Sequence, residues 1–301
     1  MIARKQPPSL NAPLSSDGAF RLEWASNGWR VGRFAALEAA GVPHLVTTRQ
    51  GPDVDRIRHE TGGIGREIAR FLDLDDAAFL EQVHGGDVLI CDGGGCAGRG
   101  DGLVTASRSL ALIGKSGDCP IVLIGDRRQR AVGFAHASWR ATVVGIVPNV
   151  VRTMVGCGCT TGDLVACICP SAGPECYEVG DEVRAAAIER IGPHAASFFH
   201  PWPGGKDHFD LWAANADALV RAGVPSSSID VAGVCTLCHN DAFPSHRREG
   251  ESAGRFAAAP DADVVDGAPE QPAGLESVRL PRQHRAHDQR VVVRADAQNV
   301  L

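Results

Sequence analysis

Short apolar runs, each closed by Gly, Asp, Pro or Cys, set what this chain can fold into. They are PHLVTT (43–48), GDVLICD (86–92), SLALIG (109–114), PIVLIGD (120–126), AVGFAHA (131–137), LVACIC (164–169) and IDVAGVC (229–235). Runs of this length, rich in Val, Ile and Leu, read as strands. The polar turn RRQR joins two of them into a strand pair. Helical spacing covers Ile64 to Leu74, residues 141–155, residues 179–192 and residues 210–224. Pro148 marks the start of the second helix or a kink in it. In the last helix Asp210 is the N-cap, and Leu211, Ala214, Ala218, Leu219 and Ala222 form the apolar face, with Gly223 as C-cap. Strands and helices alternate unevenly. The expected class is α/β (α+β), a single domain built on a mixed β-sheet flanked by helices.

Composition divides the chain into three. Residues 1–20 read as a flexible Pro/Ser-rich segment and 21–256 as the globular domain. Residues 257–301 read as a low-complexity or loosely packed tail, in which VVV (291–293) is the one strand-like run. The chain has 301 residues, 44% of them hydrophobic, enough for a sizeable core. A net charge of −6 gives no electrostatic reason to expect nucleic acid or an anionic membrane as partner. No run resembles a signal h-region or a membrane span, so the expected location is cytoplasmic. Ten cysteines in a reducing compartment should then be free thiols, some of them catalytic or metal-binding.

CTLCH (235–239) has the form of a c-type haem attachment site. No export signal accompanies it, and the only methionines available as axial ligands are Met1 and Met154. No second C-x-x-C pair follows at zinc-ribbon spacing. Haem and a structural zinc are both disfavoured.

Three polar residues fall at strand ends or in Gly-rich turns: His84 in EQVHGGD, Cys119 in SGDCP and His136 in GFAHASWRA. Alone, each reads as an ordinary loop, core or strand-end residue. Together they suit two chemistries. Two imidazoles and a thiolate are zinc ligands that leave a fourth position open. A thiolate beside a histidine is also a nucleophile with its base. Spacing does not choose between them. GPECYEVG (173–180) sets Tyr177 and Glu178 at a helix entrance, with Glu178 as proton donor or acceptor at a pocket rim. Arg49, Arg140, Arg247 and Arg255 are candidate anion contacts.

The ordered motifs QVHG, DGLVT, GDCP, HASWRA, GPECYEVG and CTLCHNDAFPSHRREGESAGR resemble the laccase-domain family, also called YfiH-like or multicopper polyphenol oxidoreductase, over about Pro43 to Phe256. The resemblance implies an α/β fold distantly like certain cysteine-hydrolase toxins. It implies a zinc site at His84, Cys119 and His136, with copper less expected. It implies a purine nucleoside phosphorylase acting on adenosine, inosine and methylthioadenosine, with adenosine deaminase activity. Its substrates would be a purine nucleoside and phosphate, and its state a monomer or weak homo-oligomer. The resemblance carries the family's arginines over to Arg49 and Arg140. The residues' own chemistry adds Glu178 to Cys119 and His136 as the catalytic set, and Tyr177 and Arg247 to the substrate or phosphate contacts. Cys235 would pack behind the pocket, with Cys238 and His239 as local variation.

Alternatives are a copper-dependent polyphenol oxidoreductase, a Cys-His hydrolase or amidase on peptidoglycan precursors, and a non-catalytic binding protein. The last draws on departures from the family pattern: Ser138 and Ala141 stand where glycines are usual, and Gly117 where alanine is.

Overall fold

The computed structural model describes residues 18–52, 54, 63–202 and 205–261, and the backbone of 291–293. Two mixed seven-stranded sheets carry the fold. In spatial order the first runs β1 (Phe20–Trp24), β2 (Arg30–Phe34), β3 (His44–Thr47), β15 (Phe256–Pro260), β8 (Leu110–Ser116), β4 (Asp76–Glu81) and β6 (Gly95–Arg99). The second runs β14 (Ile229–Val231), β11 (Leu164–Ile168), β9 (Ile121–Asp126), β10 (Val132–His136), β7 (Gly102–Thr105), β5 (Val88–Ile90) and β16 (Val291–Val293). A two-stranded ribbon pairs β12 (Phe199–His200) with β13 (His208–Phe209). The helices are α1 (Ala35–Ala39), α2 (Gly63–Phe71), α3 (Trp139–Val143), α4 (Ile146–Gly156), α5 (Asp181–Arg190), α6 (Leu211–Arg221) and α7 (His246–Glu249).

The unbroken apolar runs are explained by strands that are buried on both faces. Ile121 and Leu123 of β9, Val132 and Phe134 of β10, and Val165 and Cys167 of β11 face the first sheet. They meet Leu110 and Leu112 of β8, Phe256 and Ala258 of β15, and Phe20 and Phe34. The alternate residues Val122, Ile124, Ala135 and Ala166 pack outward under α4 and α6. On the other side Ala111, Ile113, Ala257 and Ala259 pack under Ile64 and Ile68 of α2. The result is four layers, helix–sheet–sheet–helix. The expected mixed sheet flanked by helices is present, as two such sheets.

Local signals acted as expected where they were strong. Asp210 caps α6 by accepting from the Ala213 N–H at 2.9 Å. The 141–155 stretch splits into α3 and α4 because Gly145 turns left-handed, φ +81°. Pro148 then sits in the first turn of α4, where a missing N–H costs nothing. Composition drew the tail boundary at 256/257, which falls inside β15. Ala257–Pro260 are buried between β3 and β8, and the Asp261 N–H donates to the Pro43 carbonyl at 2.9 Å. Three alanines carry no strand signal, yet their small side chains suit a strand covered on both faces. The VVV run pairs antiparallel with β5 as an edge strand. Residues 1–17, and with them most of the N-terminal segment, lie outside the described residues, as do 262–290 and 294–301.

Strand directions concentrate chemistry at one end of the sandwich. There β3, β4, β8, β10, β11 and β14 finish and β5, β7, β9 and β15 begin. Phe134 is the fully buried aromatic of β10 in the inter-sheet core, two residues before that end. Phe134→Ala is expected to destabilise the protein by about 3–5 kcal/mol. In a urea titration the midpoint should fall with an unchanged slope.

Candidate active site

His84, Cys119 and His136 come together at this end. His84 lies in the loop from β4 to β5, Cys119 in the crossover from β8 to β9, and His136 closes β10. Their ligand atoms all lie within 4.8 Å of one another. The two imidazole rings meet edge-on, with centroids 5.0 Å apart. His136 is buried, Cys119 half-buried and His84 exposed, so the cluster opens to solvent on one side.

A residue absent from the sequence-derived set, Asp101, holds this geometry. Its side chain is fully buried just before β7. One carboxylate oxygen accepts from His136 Nδ1 at 2.8 Å, which leaves Nε2 to face the cluster. The other accepts from the Val83 and Gly85 N–H groups at 3.2 and 2.6 Å, fixing the loop on either side of His84. Asn149 of α4 adds a donor to the Gly86 carbonyl at 2.8 Å. His84 is left-handed, φ +61°, an unusual state for a non-glycine residue that these contacts sustain. Asp101 lies in the DGLVT motif, whose sequence places the acid before a strand but does not show that it points inward.

The Cys119 turn is pinned in the same way. Asp118 has φ +113°, and both its oxygens are engaged, by the Thr236 hydroxyl at 2.5 Å and the Arg247 N–H at 2.6 Å. The Ala172 N–H donates to its carbonyl at 2.8 Å. Ser116 Oγ donates to the Cys119 carbonyl at 2.6 Å.

Titration follows from this packing. Burial pushes the Cys119 thiol up, but hydrogen bonds and charge from His136 and His84 outweigh it and bring it down to about 7. Burial pulls His136 down, and Asp101 and Cys119 outweigh that and raise it to about 9. Asp101, despite burial, is held below the usual carboxylate value by His136 and the loop amides. Without a metal the trio is therefore a thiolate–imidazolium–carboxylate relay near neutral pH.

Around it the rim carries the other expected residues. Arg247 stacks its guanidinium over the Tyr177 ring at 5.1 Å and donates to the Glu178 carbonyl at 2.9 Å. The Tyr177 hydroxyl is raised first by burial and then by Cys119, while Arg247 and Arg140 act against it. Cys119, Arg247 and Arg140 are each within electrostatic reach of Tyr177. Arg140 lies over Trp139 at 4.3 Å and forms no salt bridge among the described residues. Glu178 is exposed, with its carboxylate 4.0 Å from Lys206. Arg49 is engaged elsewhere: it pairs with Glu249 and donates to the Asn240 carbonyl at 2.7 Å. Arg255 donates to the Ala253 and Gly254 carbonyls. Two departures from the family pattern fit the backbone without strain. Ser138 has φ −54° and caps α3 by accepting from the Ala141 N–H at 3.2 Å, and Ala141 is buried in that helix.

The family model for multi-copper polyphenol oxidoreductase laccase matches residues 64–260. The chain is 37% identical to a purine nucleoside phosphorylase of Bacteroides thetaiotaomicron over 157 residues, 52% of this chain and 58% of that one. It is 36% identical over 196 residues to adenosine deaminase RL5 from an unknown prokaryote, 61% and 74% of the two. It is 35% identical over 242 residues to a purine nucleoside phosphorylase of Xylella fastidiosa, 72% and 91% of the two. The solved structure of YlmD from Geobacillus stearothermophilus superposes with a TM-score of 0.68 at 27% identity, covering 80% of this chain and 98% of that one.

Asp101→Asn keeps the shape of the orienting group and removes its charge. In metal-free protein His136 is expected to titrate below about 9, read by NMR of its ring protons. An unchanged titration would show that Asp101 does not set the histidine.

Proposed function

Because this chain belongs to the multi-copper polyphenol oxidoreductase laccase family, we propose that it is an enzyme acting on purine nucleosides at a zinc ion held by His84, Cys119 and His136. The observation that supports this most directly is the convergence of two imidazoles and a lowered thiol within 4.8 Å of one another, open to solvent on one side. The donor set fits zinc: one sulfur, two ring nitrogens and an open side for a fourth ligand. Asp101 supplies the carboxylate–histidine support that orients such ligands. Zinc there would supply Lewis-acid activation of a nucleophile.

The chain's own groups do the rest. Arg140 and Arg247 bind phosphate, a dianion that planar guanidinium forks suit. Arg49 belongs to the supporting network with Glu249 and Asn240 rather than to the phosphate. Tyr177, under the Arg247 guanidinium and within the field of Cys119 and Arg140, forms the wall on which nucleoside and phosphate meet. In phosphorolysis a phosphate oxygen bonds to the ribose carbon as the bond to the purine breaks, and the purine takes a proton. Glu178 is the candidate donor; its exposed contact with Lys206 is weak enough to be exchanged for the substrate. Adenosine deamination, the activity named in one relative, would use the same centre with water as nucleophile.

A second reading has its own support. Cys119, His136 and Asp101 form a relay of the kind that activates a cysteine nucleophile. Copper-dependent phenol oxidation takes support only from the family's description. Multicopper chemistry needs more clustered imidazoles than the one His2Cys group among the described residues. A non-catalytic role takes less support from Ser138 and Ala141, which fit the fold without strain.

Purified protein should carry zinc and convert adenosine to adenine only when phosphate is present, and Cys119→Ala should lose both that zinc and the turnover. Zinc without turnover of any purine nucleoside would overturn the reading. Turnover by metal-free protein that iodoacetamide abolishes would install the cysteine hydrolase. Arg140→Ala and Arg247→Ala are each expected to raise the KM for phosphate by about tenfold or more with zinc retained. Zinc must displace the His136 proton, so affinity should fall about tenfold per unit as pH drops from about 9. The fall should steepen below about 7, where Cys119 also holds its proton. Competition with a chelator across pH measures both slopes.

A further inference from the structure

CTLCH takes no part in the chemistry above, but the fold gives its two cysteines a third. Ser171 and Cys235 form an isolated parallel bridge. The Ser171 N–H donates to the Val234 carbonyl at 3.1 Å, and the Thr236 N–H to the Ser171 carbonyl at 3.0 Å. This lays the GPEC turn against the CTLC turn. The sulfurs of Cys176 and Cys238 are 3.5 Å apart, and those of Cys176, Cys235 and Cys238 all lie within 4.8 Å of one another. Three thiolates about 2.3 Å from a tetrahedral zinc would stand about 3.8 Å from each other. The cluster is therefore close to metal-binding spacing before any ion is present.

Two further features support it. The Gly173 N–H donates to Cys235 Sγ at 3.2 Å. Such N–H donors surround thiolate ligands and disperse their charge. A Cβ at Gly173 would lie 2.9 Å from Cys235 Cβ and 3.3 Å from its sulfur, so only glycine lets the turns approach this closely. Cys176 and Cys235 are half-buried and Cys238 is exposed, which leaves an entry path and a solvent-facing fourth position.

We propose that Cys176, Cys235 and Cys238 form a second metal site, for a thiophilic d10 cation, Zn2+ or Cu+, that clamps the wall of the active-site pocket. Each thiol that binds releases its proton to solvent, and nothing is oxidised. The clamp acts through chain neighbours. Tyr177 follows Cys176. Thr236 follows Cys235 and donates to Asp118, the residue before Cys119. Arg248 of α7 donates to the Leu237 carbonyl at 2.7 Å. Cys238 is thus more than local variation in the motif. The site's occupancy does not depend on the nucleoside reading.

The test counts metal on full-length protein, kept reduced, loaded with excess zinc and desalted. Wild type should hold about two ions per chain, and Cys119→Ala and Cys238→Ser about one each. Cobalt loaded into Cys119→Ala should show thiolate-to-cobalt charge-transfer absorption that Cys238→Ser or Cys176→Ser removes. Cys238 is exposed, so its serine variant should keep the wild-type circular dichroism. With the Cys119 ion retained, that variant should exchange the Thr236 and Arg247 amides faster. One extra Cu+ with no extra zinc would support the site and assign it to copper. Loss of all metal in Cys119→Ala, or no difference between wild type and Cys238→Ser, would overturn the proposal. So would a Cys176–Cys238 disulfide that forms in place of metal binding. One ion in wild type that survives Cys119→Ala would uphold this site and sink the His84–Cys119–His136 zinc.

Discussion

The buried carboxylate of Asp101 is the constraint on which the site depends. It sits where β7 begins, and it reaches two other segments at once: the end of β10 through His136, and the β4–β5 loop through the Val83 and Gly85 amides. Of these strands β4 belongs to the first sheet and β5, β7 and β10 to the second. A single charged group therefore sets the separation of the two histidines across the mouth of the sandwich. Burying it bare would be costly. Three donors offset that cost, and the charge makes each of those hydrogen bonds stronger than a neutral acceptor would. An amide of the same shape offers one acceptor oxygen and cannot serve both segments.

The four-layer packing explains why so small a cluster can be held rigidly. Both sheets are buried on both faces, so neither can slide without exposing a full apolar layer. Loops at their common end inherit fixed anchor points. Two of those loops carry non-glycine residues in left-handed conformations, His84 and Asp118, and both lie in the cluster or beside it. Each strained residue is surrounded by hydrogen bonds to segments distant in sequence: Asp101 for the first, Thr236 and Arg247 for the second. Strain held in this way keeps the ligand atoms near one arrangement before substrate or metal arrives.

What was legible in the sequence was local. His84, Cys119 and His136 stood out because each is polar and ends or interrupts an apolar run, and the strands on both sides are long enough to declare themselves. β15 was not legible, because its alanines have no strand preference and only the layers above and below it make it a strand. Asp101 was hidden in GRGDG, which reads as a turn; nothing nearby shows that the acid points inward. Arg49 looked like a free cation because its partners, Glu249 and Asn240, come from the far end of the domain. Cys176 likewise gave CTLCH no visible third thiol, since only the Ser171–Cys235 bridge brings the two turns together. The missing information in each case was a tertiary neighbour.

The same atoms serve the two leading chemistries, and that makes them exclusive. Cys119 Sγ and His136 Nε2 either share a proton or bind a metal. In the first case Asp101 stabilises an imidazolium and the thiolate is free to attack. In the second, Asp101 orients a neutral imidazole and the sulfur's lone pairs are committed to the ion, so the nucleophile must come from elsewhere. His84 serves either state. Beside a cysteine nucleophile its imidazole helps hold the thiol low, and beside an ion it is a third ligand within 4.8 Å of the other two. Its backbone strain is sustained by the same carboxylate that orients His136. The strained turn therefore places one imidazole where either chemistry uses it, and the thiolate–imidazolium pair is the metal-free form.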